Sequence, residues 1–343
     1  MKHTKNELAQ MQSLPLNIKI QMTKRRIREW YEFWDGQVYV SFSGGKDSTV
    51  LLHMVRELYP DVEAVFVNTG LEYPEIQKFV KAFDNVTILR PEVRFDEVIK
   101  KYGYPVISKD VAQTIHYARK NSDWALKKLN GIRSKGNTPS EYRKRYVKWK
   151  PLVQSDFKCS HLCCSEMKEK PLREVEKVKK PFIGVLAEES GRRTDAWLKT
   201  GCNAFGGNKP ASKPMSFWTE QDVLQYIKDF KVPIASVYGD VVFAEEPNQT
   251  RIEFDDGLPC GKLCTTGCDR TGCMFCAFGA HLEKGETRFQ RLKTTHPKQY
   301  AYCIGGGAYD EDGIWKPNKD GLGMGHVFDE LNKIYGEDFI RYK

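Results

Sequence analysis

The chain has 343 residues, room for roughly two domains at about 150 residues each and for a core that needs no disulfide staples. Hydrophobic residues make up 40% and charged residues 29%, which excludes a disordered chain, and no apolar run approaches the roughly 20 residues of a membrane-spanning helix. Met1 to Trp30 mixes charges throughout, with no apolar signal-peptide centre, so a cytoplasmic location is expected. Thiols stay reduced there, and ten cysteines then point to metal ligation or redox chemistry. The net charge is +9, and Arg119 to Lys150 alone holds eleven basic and two acidic residues. The whole excess sits in one segment.

Ile18 to Trp34 sets Ile20, Met22, Ile27, Trp30, Tyr31 and Trp34 at helical spacing around Lys24, Arg25 and Arg26, predicting a first long helix. Gln37 to Phe42 is a short β-rich run that stops at Ser43-Gly44-Gly45, and Thr49 to Leu58 resumes helical periodicity. The pattern repeats as strand Val62 to Val67, loop Asn68-Thr69-Gly70, helix Pro74 to Phe83 and strand Val86 to Leu89. This alternation predicts an α/β fold with a doubly wound parallel sheet. Residues 108–150 lack a strand signal and read as a basic helical insertion. A strand Pro181 to Leu186 follows, then the charged turn Glu188 to Arg193, and Thr219 is placed to cap a helix Glu220 to Phe230. Beyond Pro233 the alternation ends, and residues 250–285 are rich in Cys and Gly. The expected division is a helical segment 1–37, a nucleotide-binding domain 38–250, a Cys-rich metal segment 251–303 and an extension 304–343.

Ser43-Gly44-Gly45-Lys46-Asp47-Ser48 lies between a predicted strand and a predicted helix. There, successive backbone N–H groups can surround a phosphate oxygen, the glycines allow close approach, and the helix N-terminus adds favourable partial charge. Lys46 would supply positive charge to the outer phosphates. The loop is not a Walker A motif, because Val40 stands where that motif needs glycine and Asp47 follows the lysine. An ordinary Gly-rich turn is the alternative.

The loop resembles the SGGKDS motif of the PP-loop ATP pyrophosphatases, the adenine-nucleotide alpha-hydrolase-like superfamily. Asn68 to Glu75 is similar to the second signature of its phosphoadenylyl-sulfate (PAPS) reductase branch, Gly184 to Arg193 to the third, and Lys213 to Val223 to the fourth. The resemblance runs over roughly residues 38 to 280. It implies a parallel sheet of about five strands with the nucleotide across their carboxyl ends. It also implies contacts to ATP from Ser43, Gly44, Gly45, Lys46, Asp47 and Ser48, from Thr69, Gly70 and Glu72, and from Gly184, Arg192 and Arg193. Lys46 and Asp47 would be catalytic, Lys46 neutralising the leaving pyrophosphate and Asp47 helping to hold Mg²⁺, which prefers carboxylate and phosphate oxygens.

Cys163-Cys164 and the distant Cys273-Met274-Phe275-Cys276 resemble the four-cysteine [4Fe–4S] arrangement of the assimilatory adenylyl-sulfate reductases. Cys260, Cys264 and Cys268 lie just upstream, so Cys268-x4-Cys273-x2-Cys276 can also supply three ligands, with one of Cys163 and Cys164 the fourth. An iron left open by a three-cysteine set could hold an incoming sulfide. Cys159 is a further candidate. Structural Zn²⁺ accepts the same thiolates and stays open as an alternative. Cys202 and Cys303 read as small buried residues, and His161 and His281 as structural hydrogen-bonding groups.

In the sulfonucleotide reductases the loop departs from SGGKDS and a catalytic cysteine lies in a C-terminal Glu-Cys-Gly tail. Here the loop has the full ATP form and the last cysteine, Cys303, sits in Tyr-Ala-Tyr-Cys-Ile. Both features favour cleavage of ATP to AMP and pyrophosphate, with an acceptor oxygen adenylated and then displaced. The cluster points to sulfur as the nucleophile, as in ATP-dependent thiolation of tRNA or DNA, including the DNA phosphorothioation sulfurtransferases of this branch. A sulfur donor protein is then an implied partner. Arg119 to Lys150, with Tyr117, Trp124, Tyr142, Tyr146 and Trp149 interleaved, fits a surface that tracks phosphates and stacks bases; a solvated pair of charged helices is the alternative. Two other functions remain: a sulfonucleotide reductase producing sulfite, and a non-catalytic nucleic-acid-binding module with structural zinc.

Overall fold

The computed structural model describes residues 2–244 and 261–343, so Cys260 and the expected boundary at 250/251 lie outside the described residues. Two compact units emerge, each built from two stretches: Met1–Arg90 with Leu172–Thr271, and Pro91–Pro171 with Gly272–Lys343. This differs from the expected division. The basic insertion is part of a longer segment, 91–171, that folds together with the C-terminal residues. Backbone pairing is one reason: Val106–Ile107 and Ala277–Phe278 form a parallel two-stranded ladder. Side chains are another, since the buried Tyr104 hydroxyl donates to the Leu322 carbonyl at 2.8 Å.

In the first unit, strands Val38–Ser41 (β1), Ala64–Val67 (β2), Val86–Leu89 (β3), Lys180–Ile183 (β4), Asn203–Ala204 (β5) and Ala211–Ser212 (β6) form one sheet. Their order is β3-β2-β1-β4-β6-β5, parallel throughout except for the final β6–β5 pair. β1 lies in the middle, and Val38, Tyr39 and Val40 are all buried, as expected for a parallel strand covered on both faces. Helix Lys46–Leu58 follows β1 and buries Val50, Leu51, Leu52, Met54 and Val55. Helix Leu16–Phe33 buries Ile20, Ile27 and Trp30. It also buries Lys19, whose ammonium meets Asp222 Oδ2 at 2.6 Å. Asp222 accepts from the Thr219 backbone N–H at 2.6 Å in the capping box of helix Glu220–Asp229, so one carboxylate both starts that helix and holds the first one.

Two glycines set how closely the backbone can approach the loop after β1. Gly44 has φ +71°, and a Cβ there would lie 2.8 Å from the Ile76 and Val80 side chains of helix Pro74–Lys81. At Gly184 a Cβ would lie 2.9 Å from the Asp47 carbonyl and the Ser48 Cα. The strand expected to reach Leu186 therefore ends at Ile183, where the chain turns against the start of the Lys46–Leu58 helix.

The second unit is mostly helical: Phe95–Tyr102, Lys109–Ala118, Asp123–Leu129 and Glu141–Val147 come from its first stretch, and Arg288–Thr295, Pro297–Ile304 and Met324–Tyr335 from its second. Leu292, Leu322, Met324, Val327, Phe328 and Leu331 are fully buried, and the Phe289 and Phe328 rings meet at 4.8 Å. No helix among the described residues is long and apolar enough to cross a membrane.

Gly184→Ala should destabilise the chain by about 2 kcal/mol, because backbone rather than a flexible side chain must give way. Urea unfolding checks this; an unchanged midpoint would mean that the approach is not tight.

Candidate functional site

The loop between β1 and its helix is closed by its own hydroxyls. The Ser43 N–H donates to Ser48 Oγ at 3.2 Å, the Gly45 N–H donates to Ser43 Oγ at 3.3 Å, and the Ser48 and Thr49 hydroxyls donate to the Gly45 carbonyl at 3.0 and 2.9 Å. Lys46 opens the helix and is buried, its ammonium 3.2 Å from Glu220 Oε1. The Lys46 N–H donates to the Tyr238 hydroxyl at 3.3 Å.

Charge is crowded around this loop. Glu189 Oε1 accepts from the Leu186 N–H at 3.0 Å, and the same carboxylate pairs with Arg193 and, at 2.6 Å, with Arg270. Glu188 Oε1 accepts from the Glu220 N–H at 2.7 Å. Asp47 is raised from its ordinary 3.8 to about 6, first by burial and then by the nearby Glu189 carboxylate, with Lys46 and Arg270 pulling the other way. Burial, with Arg193 close by, lowers Lys213.

The structure thus brings Gly184 against Asp47 and Ser48 at this helix start, and Arg193 pairs with Glu189, the carboxylate that lies near Asp47. Arg193 lies in the first turn of helix Gly191–Thr200, capped by Ser190, and Arg192 beside it is exposed. The loop Asn68–Glu72 is held from within: Thr69 donates from its N–H and its hydroxyl to the buried Glu72 carboxylate at 3.0 and 2.8 Å, and Gly70 has φ +75°. Thr69 and Glu72 shape that loop. Tyr238, Glu220 and Glu189 were not singled out as site residues by sequence, because they lie in an irregular stretch, a helix start and a charged turn that carry no periodic signal.

Of the expected metal ligands, Cys163, Cys164, Cys273 and Cys276 all belong to the second unit. Burial raises the Cys163 thiol, and the neighbouring Cys164, Cys273 and Cys276 raise it further. Burial likewise raises Cys276, with Cys164 among its neighbours and its carbonyl accepting from Arg288 Nη1 at 2.9 Å. Cys163 therefore has Cys164, Cys273 and Cys276 as neighbours, and Cys276 has Cys164. That donor set fits a thiolate-ligated metal or cluster. Among the described residues, however, no group of three or more His, Cys, Asp and Glu side chains already stands as a metal site. Cys268 belongs to the first unit, where its N–H donates to the Val237 carbonyl at 2.9 Å. Cys159 is buried with Arg119 as its charged neighbour, while Cys202 and Cys303 are buried against Ser216 and Met324.

The basic segment is only partly available to a ligand. Arg119 donates to the Leu152 carbonyl, Arg143 to the Ile132 carbonyl, and Lys128 pairs with Asp110. Tyr146 and Trp149 are buried. Lys120, Arg133, Lys135, Lys144, Arg145, Lys148 and Lys150 are exposed, as are Tyr117, Trp124 and Tyr142, and the Arg145 guanidinium lies 3.9 Å above the Tyr142 ring.

The profile of the phosphoadenosine phosphosulfate reductase domain matches residues 37–121 and 95–278. The chain belongs to that family. The family's matched region includes the Ser43–Ser48 loop and Cys163, Cys164, Cys273 and Cys276, and the helices after residue 278 lie beyond it. The chain is similar to an adenosine 5′-phosphosulfate reductase of Staphylococcus epidermidis, 22% identical over 219 residues that cover 60% of this chain and 68% of that enzyme. An uncharacterised protein of Methanocaldococcus jannaschii is 36% identical over 87 residues, 23% of this chain and only 21% of that relative's length. Among solved structures, the U34-tRNA thiolase NcsA from Methanococcus maripaludis with its [4Fe–4S] cluster aligns at 18% identity and TM-score 0.31, over 64% of this chain and 66% of that one.

Because its folded value is raised, Asp47 contributes stability while protonated below about pH 4, and that contribution is lost as pH climbs through about 6. Asp47→Asn should therefore stabilise the chain by about 2 kcal/mol at pH 7.5 and leave it nearly unchanged at pH 4. Unfolding at the two pH values checks this; an equal effect at both would remove the buried charge as its cause.

Proposed function

We propose that this family member cleaves ATP to AMP and pyrophosphate, adenylating an oxygen of a nucleic-acid or nucleotide acceptor that a sulfur nucleophile then displaces. The observation that carries the reading is the intact loop Ser43–Ser48, with Lys46 and Asp47 both at the start of a buried helix beside the central strand. Its backbone donors bind the phosphates, and Gly184 lets the neighbouring strand end lie against it. The Lys46 ammonium leaves Glu220 for the outer phosphates and offsets the charge that develops on the departing pyrophosphate. Asp47, ionised above about pH 6, helps to hold Mg²⁺ against phosphate oxygens. Arg192 offers an exposed guanidinium in the first turn of helix Gly191–Thr200, which follows the carboxyl end of β4, the usual side for nucleotides in open α/β sheets.

Cys163, Cys164, Cys273 and Cys276 would hold a [4Fe–4S] cluster, which when bound supplies sulfur-handling or redox chemistry, with Cys268 a further candidate ligand. Zinc is the alternative occupant. The exposed cations Lys120, Lys135, Arg145 and Lys148, with Tyr142 beside them, support a nucleic-acid acceptor such as tRNA or DNA. The similarity to an adenosine 5′-phosphosulfate reductase favours one competing reading, reduction of a sulfonucleotide to sulfite.

Incubating anaerobically prepared protein with ATP and, separately, with adenylyl sulfate and its 3′-phosphorylated form distinguishes the two. Pyrophosphate and AMP from ATP support the proposal; sulfite from a sulfonucleotide with no ATP cleavage overturns it. Lys46→Ala should lower pyrophosphate release by about a hundredfold in folded protein.

Iron and acid-labile sulfide should be present in the same anaerobic protein, and stoichiometric zinc with neither would replace the cluster. Reversing Lys135, Arg145 and Lys148 together should flatten the salt dependence of tRNA or DNA binding. Arg143 is a poor choice for that test because its guanidinium holds the Ile132 carbonyl.

A further inference from the structure

We propose that the Tyr238 hydroxyl, anchored by Thr271, is a latch on the Lys46 amide of the Ser43–Ser48 loop that a phosphate must displace. The proposal rests on the phosphate-binding reading of the loop given above. Both donors that Lys46 would offer a phosphate are already engaged by the protein. Its backbone N–H donates to Tyr238 Oη at 3.3 Å, and its ammonium is paired with Glu220 at 3.2 Å while lying 5.4 Å from the centre of the Tyr238 ring.

The two contacts differ in strength. Glu220 is about half exposed, so its pairing with Lys46 is screened and readily exchanged. Tyr238 is 2% exposed and its hydroxyl is hydrogen-bonded to Thr271 Oγ1, so the contact with the loop amide is dry and held from both sides. The backbone fixes the tyrosine as well. Its N–H donates to the Ala235 carbonyl at 3.0 Å and its carbonyl accepts from Gly267 at 2.9 Å, while the Cys268 N–H donates to Val237. Gly239, at φ +65°, would place a Cβ only 2.1 Å from Thr266 Oγ1, so the turn carrying Tyr238 is clamped to residues 266–268. Thr271 closes the same strap.

A phosphate oxygen is a charged acceptor and forms a stronger bond to the Lys46 amide than a neutral tyrosyl oxygen does. Nucleotide therefore wins the amide, but its affinity is reduced by the strength of the contact it replaces. In return, the loop keeps its shape and its leading amide stays satisfied when no nucleotide is bound.

The test uses the full chain, inorganic pyrophosphate as probe and two variants that keep side-chain shape, Tyr238→Phe and Thr271→Val. Tyr238→Phe should bind pyrophosphate about fivefold more tightly than wild type, the ratio of one net hydrogen bond, and Thr271→Val should move the same way by less. Amide hydrogen exchange at Lys46 without ligand should be faster in Tyr238→Phe. Unchanged exchange, or faster exchange with affinity equal to or below wild type, overturns the latch. Failure of wild type and both variants to bind pyrophosphate or ATP overturns the phosphate-binding reading and the latch with it, whereas wild-type binding with no gain in Tyr238→Phe overturns the latch alone.

Discussion

The first amides of a helix have no carbonyl four residues back to accept from them, and a helix that starts inside a protein must find other acceptors. The start of helix Lys46–Leu58 lives under that constraint. Ser43, Ser48 and Thr49 spend their hydroxyls on the loop itself, Gly44 and Gly184 clear space for backbone, and Tyr238 reaches in from a remote segment to meet the Lys46 amide. A turn held by its own side chains beside a central parallel strand is the outcome, with its leading amide met by a remote hydroxyl.

The same region stores electrostatic tension. Asp47, Glu188, Glu189 and Glu220 crowd against Lys46, Arg193, Lys213 and Arg270, and the raised Asp47 and lowered Lys213 show that burial is only partly offset by pairing. Contrast Lys19 and Asp222, a close pair in which the carboxylate also accepts from a helix cap and every charge has a defined partner. The second arrangement binds two helices together. The first leaves several charges sharing partners, the kind of setting in which perturbed titration concentrates.

The parallel sheet was legible because its strands are short runs of Val, Ile, Tyr and Phe that stop at glycine or asparagine. The turn at Ser43–Ser48 was legible because a strand and a helix frame it. Strand ends were not: the apolar run to Leu186 continues past Ile183, and only the approach of Gly184 to Asp47 explains why pairing stops there. Nor does local sequence carry the partnership of residues 91–171 with the C-terminal stretch, which rests on contacts such as Tyr104 to Leu322, more than two hundred residues apart. The spacing of Cys268, Cys273 and Cys276 carries no record of which unit each residue joins, and Cys268 joins the first. The basic run likewise mixed roles, since Arg119 and Arg143 serve backbone carbonyls while Arg145 and Lys148 face outward.

The chain passes from one unit to the other at residues 90/91, 171/172 and 271/272, so neither unit is a continuous piece. On a ribosome, β1, β2 and β3 emerge early, but β4, the other neighbour of β1, follows some 140 residues later, after the first stretch of the second unit has left the exit tunnel. The central strand must therefore wait with one edge open while some 140 residues are added, and long-range pairing of this kind is slow to form. Cutting the gene at any single point cannot release an intact half. An isolated unit would need its two stretches spliced together.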